Sequence, residues 1–241
     1  MNDHHVEECR TAITVWEQRR QAERSYFVPA KHNIWQVLSR VNTLLVCLEY
    51  MQRKLRVDLS CCKVLDVGSA DGYGLAPFLV ANFSCKQLYG IDLFEERVAP
   101  GRNRLPGVAF SAGDATDMKI YGNEEFDIVC EQFTFCHVLD ESVVARIARE
   151  MIRVTRRGKY IIVFDWIIGR RKLHYNGVPK SKIIRLFGVG EQTDLIRRFR
   201  GQLFPPLGRF LSKRIPFLYP LVQTVLPLAV GSKLTLLRRL C

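Results

Sequence analysis

Short apolar runs alternate with segments of helical periodicity through the middle of the chain. The runs predict five strands, one ending before Gly68 and the others over 87–94, 108–115, 126–135 and 159–168. Helical spacing predicts helices between them over 75–83, 95–103 and 140–156, the last with Asp140 as its N-cap. Strands that are apolar almost throughout and alternate with helices predict a mostly parallel sheet covered on both faces.

The flanking segments add to this sheet. Residues 9–24 and 33–56 are predicted to be helical, and an apolar stripe on the second one favours packing against the core. Tyr26 and Phe27, between these helices, either join the core or cover a ligand pocket. Residues 193–204 and 232–238 predict a sixth and a seventh strand. The expected domain is therefore an N-terminal helical cap over 1–57, a Rossmann-like α/β core over 58–169, and C-terminal strands with a lid over 170–241.

The lid lies between the last two predicted strands. Residues 215–232 carry no charge and are close to the length of a membrane span, but three prolines and Gln223 argue against spanning. One interpretation is a lid over an acceptor site. The other is an apolar and aromatic face with basic flanks that rests on an anionic membrane.

Charge is distributed unevenly along the chain. Residues 170–241 contain 15 Lys and Arg against two acids, Glu191 and Asp194, a net +13. The remaining 169 residues therefore hold 21 basic and 22 acidic side chains, a net −1. This asymmetry predicts an anionic partner for the last third of the chain, whether nucleic acid, a phospholipid surface or an anionic substrate.

The stretch Lys63–Leu75 combines the end of a buried strand with a glycine-rich turn and a helix start. Glycines permit positive φ angles and close approach of a ligand, and a helix N-terminus offers unpaired N–H groups. Ligands of doubly wound sheets bind at the carboxyl ends of the strands. The polar residues predicted at those ends are Asp66, Gly68, Ser69, Asp92, Asp114, Glu131, Gln132 and Asp165.

These motifs, taken in order, resemble the class I S-adenosylmethionine-dependent methyltransferases. The matching segments are Val64-Leu-Asp-Val-Gly-Ser-Ala-Asp-Gly72, Leu88-Tyr-Gly-Ile-Asp-Leu-Phe94, Ala112-Gly-Asp-Ala115, Phe126-Asp-Ile-Val129 and Glu150-Met-Ile-Arg-Val-Thr-Arg-Arg-Gly158. The resemblance covers about residues 60–168 and implies the seven-stranded sheet of that family. Segments near Asp165-Trp166, Asn176, Ile183 and Pro205 resemble, more loosely, a bacterial subgroup that accompanies polysaccharide or secondary-metabolite pathways.

The resemblance also implies roles for individual residues toward S-adenosylmethionine. Asp66 and Gly68 would hold the methionine part, Asp92 would accept hydrogen bonds from both ribose hydroxyls, and Asp114 and Ala115 would meet the adenine. Glu131 and Phe133 would face the sulfonium and the acceptor. The remaining implied cofactor-binding residues are Ser69, Ala70, Gly72 and Leu93.

One residue departs from the family pattern. Ala70 replaces the usual middle glycine of the loop, a change that the backbone tolerates if φ stays negative there. A nicotinamide dinucleotide fold fits less well, because two of its three glycine positions would be Ala70 and Tyr73.

Methyl transfer depends mainly on alignment, although a hydroxyl acceptor benefits from a general base. His137 is the preferred candidate for this base, and Asp165 and His174 are the others. The motifs of nucleic-acid base methyltransferases are absent, which argues against nucleic acid as a partner. A metal-ligand cluster is absent as well, which argues against metal dependence.

Three functions remain open at this point. The first is O-methylation of a small molecule or saccharide, the second is methylation of a lipid-linked or isoprenoid acceptor at a membrane surface, and the third is a non-catalytic subunit on this fold. Eight scattered cysteines and an acidic, polar beginning of the sequence predict reduced thiols and a cytoplasmic protein, with peripheral membrane contact through the basic third as an option.

Overall fold

The computed structural model describes residues 34–169 and 176–241, together with the isolated positions Glu7, Arg10 and Thr14. Of the predicted helix over 9–24, only Arg10 and Thr14 are described, and both are helical. The predicted cap residues Tyr26 and Phe27 and the candidate base His174 lie outside the described residues.

Helices and strands alternate as the apolar pattern predicts. The helices are α1 Ile34–Lys54, α2 Ala76–Val80, α3 Glu95–Arg104, α4 Glu141–Val154, α5 Lys180–Leu186, α6 Pro205–Arg214 and α7 Leu218–Val225. The strands are β1 Val64–Val67, β2 Leu88–Asp92, β3 Ala109–Ala112, β4 Phe126–Gln132, β5 Thr155–Trp166, β6 Thr193–Arg200 and β7 Ser232–Arg239. Asp140 caps α4, its side chain accepting a hydrogen bond from the N–H of Ser142.

The seven strands form one sheet in the order β3-β2-β1-β4-β5-β7-β6. β7 is antiparallel to both β5 and β6, whereas the other neighbouring strands are parallel. The predicted Rossmann-like sheet is confirmed. Because β1 lies between β2 and β4, strand order reverses beside β1, and a crevice opens at the carboxyl ends of these strands.

Several element boundaries differ by a few residues from the sequence prediction, and those around β4 and β5 have a clear local cause. Helix α4 ends at Val154 rather than near Gly158, and β5 begins at Thr155, because Thr155 already pairs with Phe126. The register shifts after this pair, and Gly158 adopts φ +71° within the strand. At the other end, β4 stops at Gln132 because Phe133 has φ +63°, a conformation that interrupts an extended chain.

Alternate residues of each strand face two separate cores. On β4, Val129 packs on the side covered by α4 and α5, while Ile128 and Cys130 pack on the side covered by α1, α2 and α3. This parity continues to the strand end. It therefore directs Glu131 and Gln132 to opposite faces of the sheet.

The first half of helix α1 buries a different face from the apolar stripe predicted for it, whereas Leu44, Leu48 and Met51 of that stripe are buried as predicted. Ile34 and Leu38, members of that stripe, are exposed, whereas the polar residues Gln36, Ser39 and Thr43 are buried. Their hydrogen-bonding partners lie in other segments: Gln36 receives the hydroxyl proton of Tyr219, Ser39 receives an amide proton of Gln223, and Thr43 donates to the carbonyl of Arg200. Tertiary hydrogen bonds thus decide which face of α1 is buried.

The C-terminal segment forms a small layer over α1. Its own core contains Leu203, Leu211, Tyr219 and Val230, with Trp35 of α1 stacked on Tyr219 at 6.3 Å between ring centroids. Within the described residues, every helix is too short or too polar to cross a lipid bilayer.

Candidate functional site

A cavity of about 250 Å³ lies at the carboxyl ends of β1, β2, β3 and β4, beneath α1 and the start of α6. This volume lies near the lower end of the range of small-ligand sites. Eleven of the residues proposed from the sequence line it: Asp66, Gly68, Ser69, Ala70, Asp92, Leu93, Asp114, Ala115, Gln132, Phe133 and His137. Gly72, Glu131 and Asp165 do not line it.

The loop after β1 requires glycine at its first turn. Gly68 adopts φ +75°, and a Cβ atom there would lie 2.2 Å from the Oγ1 atom of Thr134. Thr134 in turn donates its hydroxyl proton to the carbonyl of Val67 at 3.0 Å. The loop after β4 therefore packs directly against Gly68 in the loop after β1, and the two loops form one wall of the cavity.

Ala70 adopts φ +45°. The condition under which alanine is tolerated there, a negative φ, is not met. An L-residue in the left-handed region carries a cost of about 1–2 kcal/mol. The loop nonetheless keeps this conformation, held by hydrogen bonds from Gly68 and Ser69 to the carbonyl of Ile91.

Asp92, at the end of β2, is 5% exposed and lies beside the same loop. Its Oδ2 atom accepts the N–H of Ala70 at 3.0 Å, and its Oδ1 atom accepts that of Phe94 at 3.4 Å. Arg97 lies 3.8 Å from Oδ1. These contacts orient the carboxylate, and Asp92 remains part of the cavity lining.

Asp66 lies deeper in the cavity wall, with only 2% of its surface exposed. Burial raises its pKa to about 6, and the positive charge of Arg40 and a hydrogen bond from Cys130 oppose that rise. A buried carboxylate of this kind favours a cationic ligand group next to it, because such a group would offset the cost of desolvation.

The far wall is formed by β3 and the segment that follows it. Asp114 and Ala115 line the cavity together with Leu93, which follows β2. The Oδ1 atom of Asp114 accepts the N–H of Thr116 at 2.8 Å, and this bond fixes the turn after Gly113.

The opposite end of the cavity is aromatic and basic. Phe133 contacts Phe164 and Trp166, with ring centroids 5.0 and 5.3 Å apart. The guanidinium of Arg40 lies over the rings of Phe133 and Tyr73, at 5.0 and 5.4 Å from their centroids. His137, Trp166, Gln202, Pro205 and Arg209 complete this end.

Glu131 and Asp165 lie beneath the loop after β4, on the side of the sheet away from α1. Glu131 accepts the N–H groups of Thr134 and Phe135, while Asp165 accepts those of Cys136 and Trp166. Burial raises the pKa of Asp165 to about 7, and burial together with the charge of Asp165 raises that of Glu131 well above its ordinary value. The pair therefore supports the loop that carries Phe133 and His137.

Gly72 lies behind the cavity wall, where it adopts φ +81° against the ring of Phe110. The structure also adds residues that the motifs did not single out: Gln36, Arg40, Tyr73, Thr134, Gln202 and Arg209. Arg40 follows Val37 by three residues and precedes Leu44 by four, so helical spacing could have located it on a covered face of α1.

Comparisons with known proteins agree with this geometry. Residues 65–163 match a family model described as a methyltransferase domain. No curated protein sequence matches the chain significantly.

Several solved structures share the fold at low sequence identity. Magnesium protoporphyrin IX methyltransferase from Synechocystis PCC 6803, solved with bound S-adenosylmethionine, is 14% identical over 99% of this chain and 98% of its own, with a TM-score of 0.64. A methyltransferase from Methanosarcina mazei is 13% identical over 81% of this chain and 96% of its own, with a TM-score of 0.58. The 4+2 cyclase SpnF is 18% identical over 81% of each chain, with a TM-score of 0.56. At these identities the likeness establishes the fold.

Proposed function

We propose that the chain is a class I S-adenosylmethionine-dependent methyltransferase, and that it transfers a methyl group to oxygen of a small-molecule or saccharide acceptor. The observation that carries this proposal is the single cavity, in which the carboxylates of Asp66, Asp92 and Asp114 line one end and Phe133 and His137 the other. S-adenosylmethionine supplies an electrophilic methyl group when it is bound.

The residues present fit this cofactor. The carboxylate of Asp92 would hold the ribose hydroxyls, and that of Asp66 would face the ammonium of the methionine part. The Oγ atom of Ser69 is buried in the cavity wall and has no hydrogen-bond partner in the part of the chain that the structure describes. Asp66 carries the fit better, because a cationic group of the ligand would offset the burial of its carboxylate, which is 2% exposed. Asp114, Ala115 and Leu93 would enclose the adenine.

The acceptor would lie against Phe133 and His137. We assign His137 as the general base for a hydroxyl acceptor, because it lines the cavity directly after the aromatic end of β4. Asp165 is proposed as a positioning residue instead, since both of its oxygens receive backbone N–H groups and it is 2% exposed. One fold neighbour, the magnesium protoporphyrin IX methyltransferase, methylates a small molecule, which supports this acceptor class.

A second candidate acceptor is lipid-linked or isoprenoid. Exposed apolar side chains such as Phe217 and Leu228 follow α6, whose first residue, Pro205, lines the cavity, and these favour it. For both candidates the proposed location is the cytoplasm, with peripheral contact to an anionic membrane in the second case.

Cofactor binding tests the shared part of the proposal. Calorimetry should show S-adenosylmethionine binding to the wild type, strongly weakened in Asp92→Ala and unchanged in the control Asp194→Ala, a half-buried acid on β6 paired with Arg238. Equal binding by all three proteins would refute the assignment of Asp92.

Turnover tests catalysis. Cell extract incubated with the purified protein and methyl-labelled cofactor should yield a labelled small molecule, and His137→Ala should slow its formation roughly 10²–10⁴-fold with cofactor affinity unchanged. A protein that binds the cofactor but labels nothing would instead be a non-catalytic subunit or an enzyme of another reaction class, as the cyclase SpnF is on this fold.

A further inference from the structure

The segment 205–230, here called the apolar cap, exposes a concentration of large hydrophobic side chains. Among the described residues, thirteen large hydrophobic side chains are exposed, and six of them lie within this segment. They are Phe210, Phe217, Leu221, Val225, Leu226 and Leu228. Phe217 and Leu228 are the most accessible of the six, at 73% and 93%. Such a concentration marks an interaction surface rather than scattered surface residues.

Helix α7, within the cap, exposes mostly apolar side chains and turns its polar side chains toward the protein. Its water-facing residues are Pro220, Leu221, Thr224 and Val225, of which only Thr224 is polar. Its inward polar groups are satisfied within the protein, since Tyr219 donates to Gln36 and Gln223 donates to Ser39 and to the carbonyl of Gly201. A helix on a water-exposed surface normally shows the opposite arrangement. The outer face of the cap therefore suits an apolar medium.

The charges around the cap select the kind of partner. Residues 201–241 contain six Lys and Arg and no Asp or Glu, and residues 215–232 carry no charge at all. Lys213 and Arg214 are exposed directly before the apolar stretch. An uncharged apolar surface with a basic border matches the acyl boundary and the headgroups of an anionic bilayer. A two-fold contact between copies of the chain would instead bring the basic borders toward each other.

We propose that the apolar cap is a peripheral membrane-docking surface, with Phe217 and Leu228 inserted at the headgroup boundary of an anionic phospholipid bilayer. Lys213 and Arg214 would contact the phosphate groups of the lipids. Pro205 and Arg209, at the beginning of α6, line the cavity. The segment that forms the cap therefore also contributes two residues to the cavity wall. The docking itself does not depend on which reaction the cavity supports.

Vesicle co-sedimentation tests the proposal. The probes are vesicles of phosphatidylcholine alone and of phosphatidylcholine with phosphatidylglycerol in roughly a two-to-one ratio. We expect the wild type to sediment with the anionic vesicles at low salt and to be released by added sodium chloride. The double variant Phe217→Ser/Leu228→Ser should bind at least about tenfold more weakly, because membrane affinity scales with the apolar area buried.

Two further variants test the contribution of the basic residues and the specificity of the apolar contribution to vesicle binding. Lys213→Gln/Arg214→Gln should lose the preference for anionic vesicles. Ile120→Ser is the matched control, because Ile120 is 59% exposed, does not line the cavity and lies outside the cap, next to Tyr121, which packs on Phe126 at the start of β4. It should bind vesicles as the wild type does. Urea unfolding of each variant confirms that it is folded, independently of any cofactor.

Three outcomes would overturn the proposal. The wild type could remain in the supernatant with anionic vesicles, or Phe217→Ser/Leu228→Ser could bind them as well as Ile120→Ser does. A dimer of the wild type that becomes a monomer in Phe217→Ser/Leu228→Ser, without vesicle binding by either, would assign the cap to a second copy of the chain instead.

Discussion

Ala70 donates its backbone N–H to the Oδ2 atom of Asp92 across 3.0 Å. The bond links the residue with the left-handed backbone in the loop after β1 to the carboxylate at the end of β2. It explains how the loop keeps a φ of +45° without glycine, since a charge-assisted hydrogen bond offsets part of the conformational cost. The same bond orients the carboxylate that we assign to the ribose. If Asp92 holds the ribose as proposed, the loop conformation and the ribose site share this hydrogen bond.

Replacing Ala70 by Gly should stabilise the fold. Removal of the Cβ atom relieves the steric cost of the left-handed backbone, about 1–2 kcal/mol. Glycine in turn destabilises the folded state by about 0.5–1 kcal/mol, because the unfolded chain has more conformational freedom. We expect a net gain of about 0.5–1 kcal/mol in the free energy of unfolding, measured with urea.

The matched control for this prediction is Ala145→Gly, the same substitution inside α4. It should lower stability by about 1 kcal/mol, because glycine is a poor helix former. A loss of stability in Ala70→Gly as large as that in Ala145→Gly would show that the positive φ of Ala70 is not strained.

Binding of S-adenosylmethionine should depend on pH through Asp66. Burial raises the pKa of this carboxyl to about 6, and the charged form is the one that would pair with the ammonium of the cofactor. Affinity should therefore level off about one unit above pH 6 and fall by up to about tenfold per unit below pH 6. Calorimetry between pH 5 and about 7 keeps the cofactor's amino group protonated. Asp66→Asn should bind more weakly, with no such dependence. A wild type whose affinity stays flat across this range would contradict the role of Asp66.

Stability should fall as the pH rises toward 7, because of Asp165. Its pKa is raised to about 7 by burial, so the folded state keeps a proton that the unfolded chain releases near pH 4. This contribution is complete below pH 4 and is lost as the pH passes through 7. The free energy of unfolding, measured with urea, should therefore fall by up to about 1.4 kcal/mol per pH unit in this range. A stability that rises between pH 5 and 7 in the wild type and in Asp165→Asn alike would rule this out.

Glu131 should tolerate glutamine but not alanine. Its pKa is raised well above the ordinary value by burial and by the charge of Asp165, so the neutral amide of glutamine imitates its form at neutral pH. We expect Glu131→Gln to cost under about 1 kcal/mol. Glu131→Ala removes the acceptor for the N–H groups of Thr134 and Phe135, at about 1–3 kcal/mol for each. Equal losses in both variants, measured with urea, would contradict a neutral Glu131.

Removal of the Tyr219 hydroxyl should lower the free energy of unfolding markedly, because that hydroxyl joins two buried partners. It donates to the Oε1 atom of Gln36 at 2.6 Å and accepts the N–H of Leu203 at 3.1 Å, and its ring is fully buried. Tyr219→Phe leaves both partners unsatisfied, at about 1–3 kcal/mol each. The control Tyr50→Phe keeps the ring contact with Phe199 and should change stability by under about 0.5 kcal/mol. Similar unfolding free energies for the two variants would show that the hydrogen bonds of Tyr219 to Gln36 and Leu203 do not stabilise the fold.

The order of strands and helices could be predicted from the sequence because it depends on local patterns. Apolar runs of strand length located β1, β2, β3 and β4, and the N-cap Asp140 was confirmed by its hydrogen bond to Ser142. Motif spacing also placed Asp66, Asp92 and Asp114 at the ends of strands, where they line one cavity. The conformation of Ala70 could not be predicted, since its φ is set by contacts with β2.

The face to which each polar side chain points was decided by tertiary structure. Glu131 and Gln132 are adjacent in β4, and only the packing of α1 on one side and α4 on the other makes Gln132 line the cavity while Glu131 lies beneath it. Asp165 follows the same parity as Glu131.

Local sequence patterns were enough to predict the fold and the strand ends of the proposed cofactor site, because hydrophobic periodicity and turn residues act over a few neighbouring positions. The proposed acceptor end depends on tertiary packing, which brings Arg40 of α1 over Phe133 and places Arg209 of α6 in the same cavity lining. These residues come from segments that are distant along the chain. Their meeting depends on the burial of polar residues on α1, which hydrogen bonds to Tyr219, Gln223 and Arg200 make favourable.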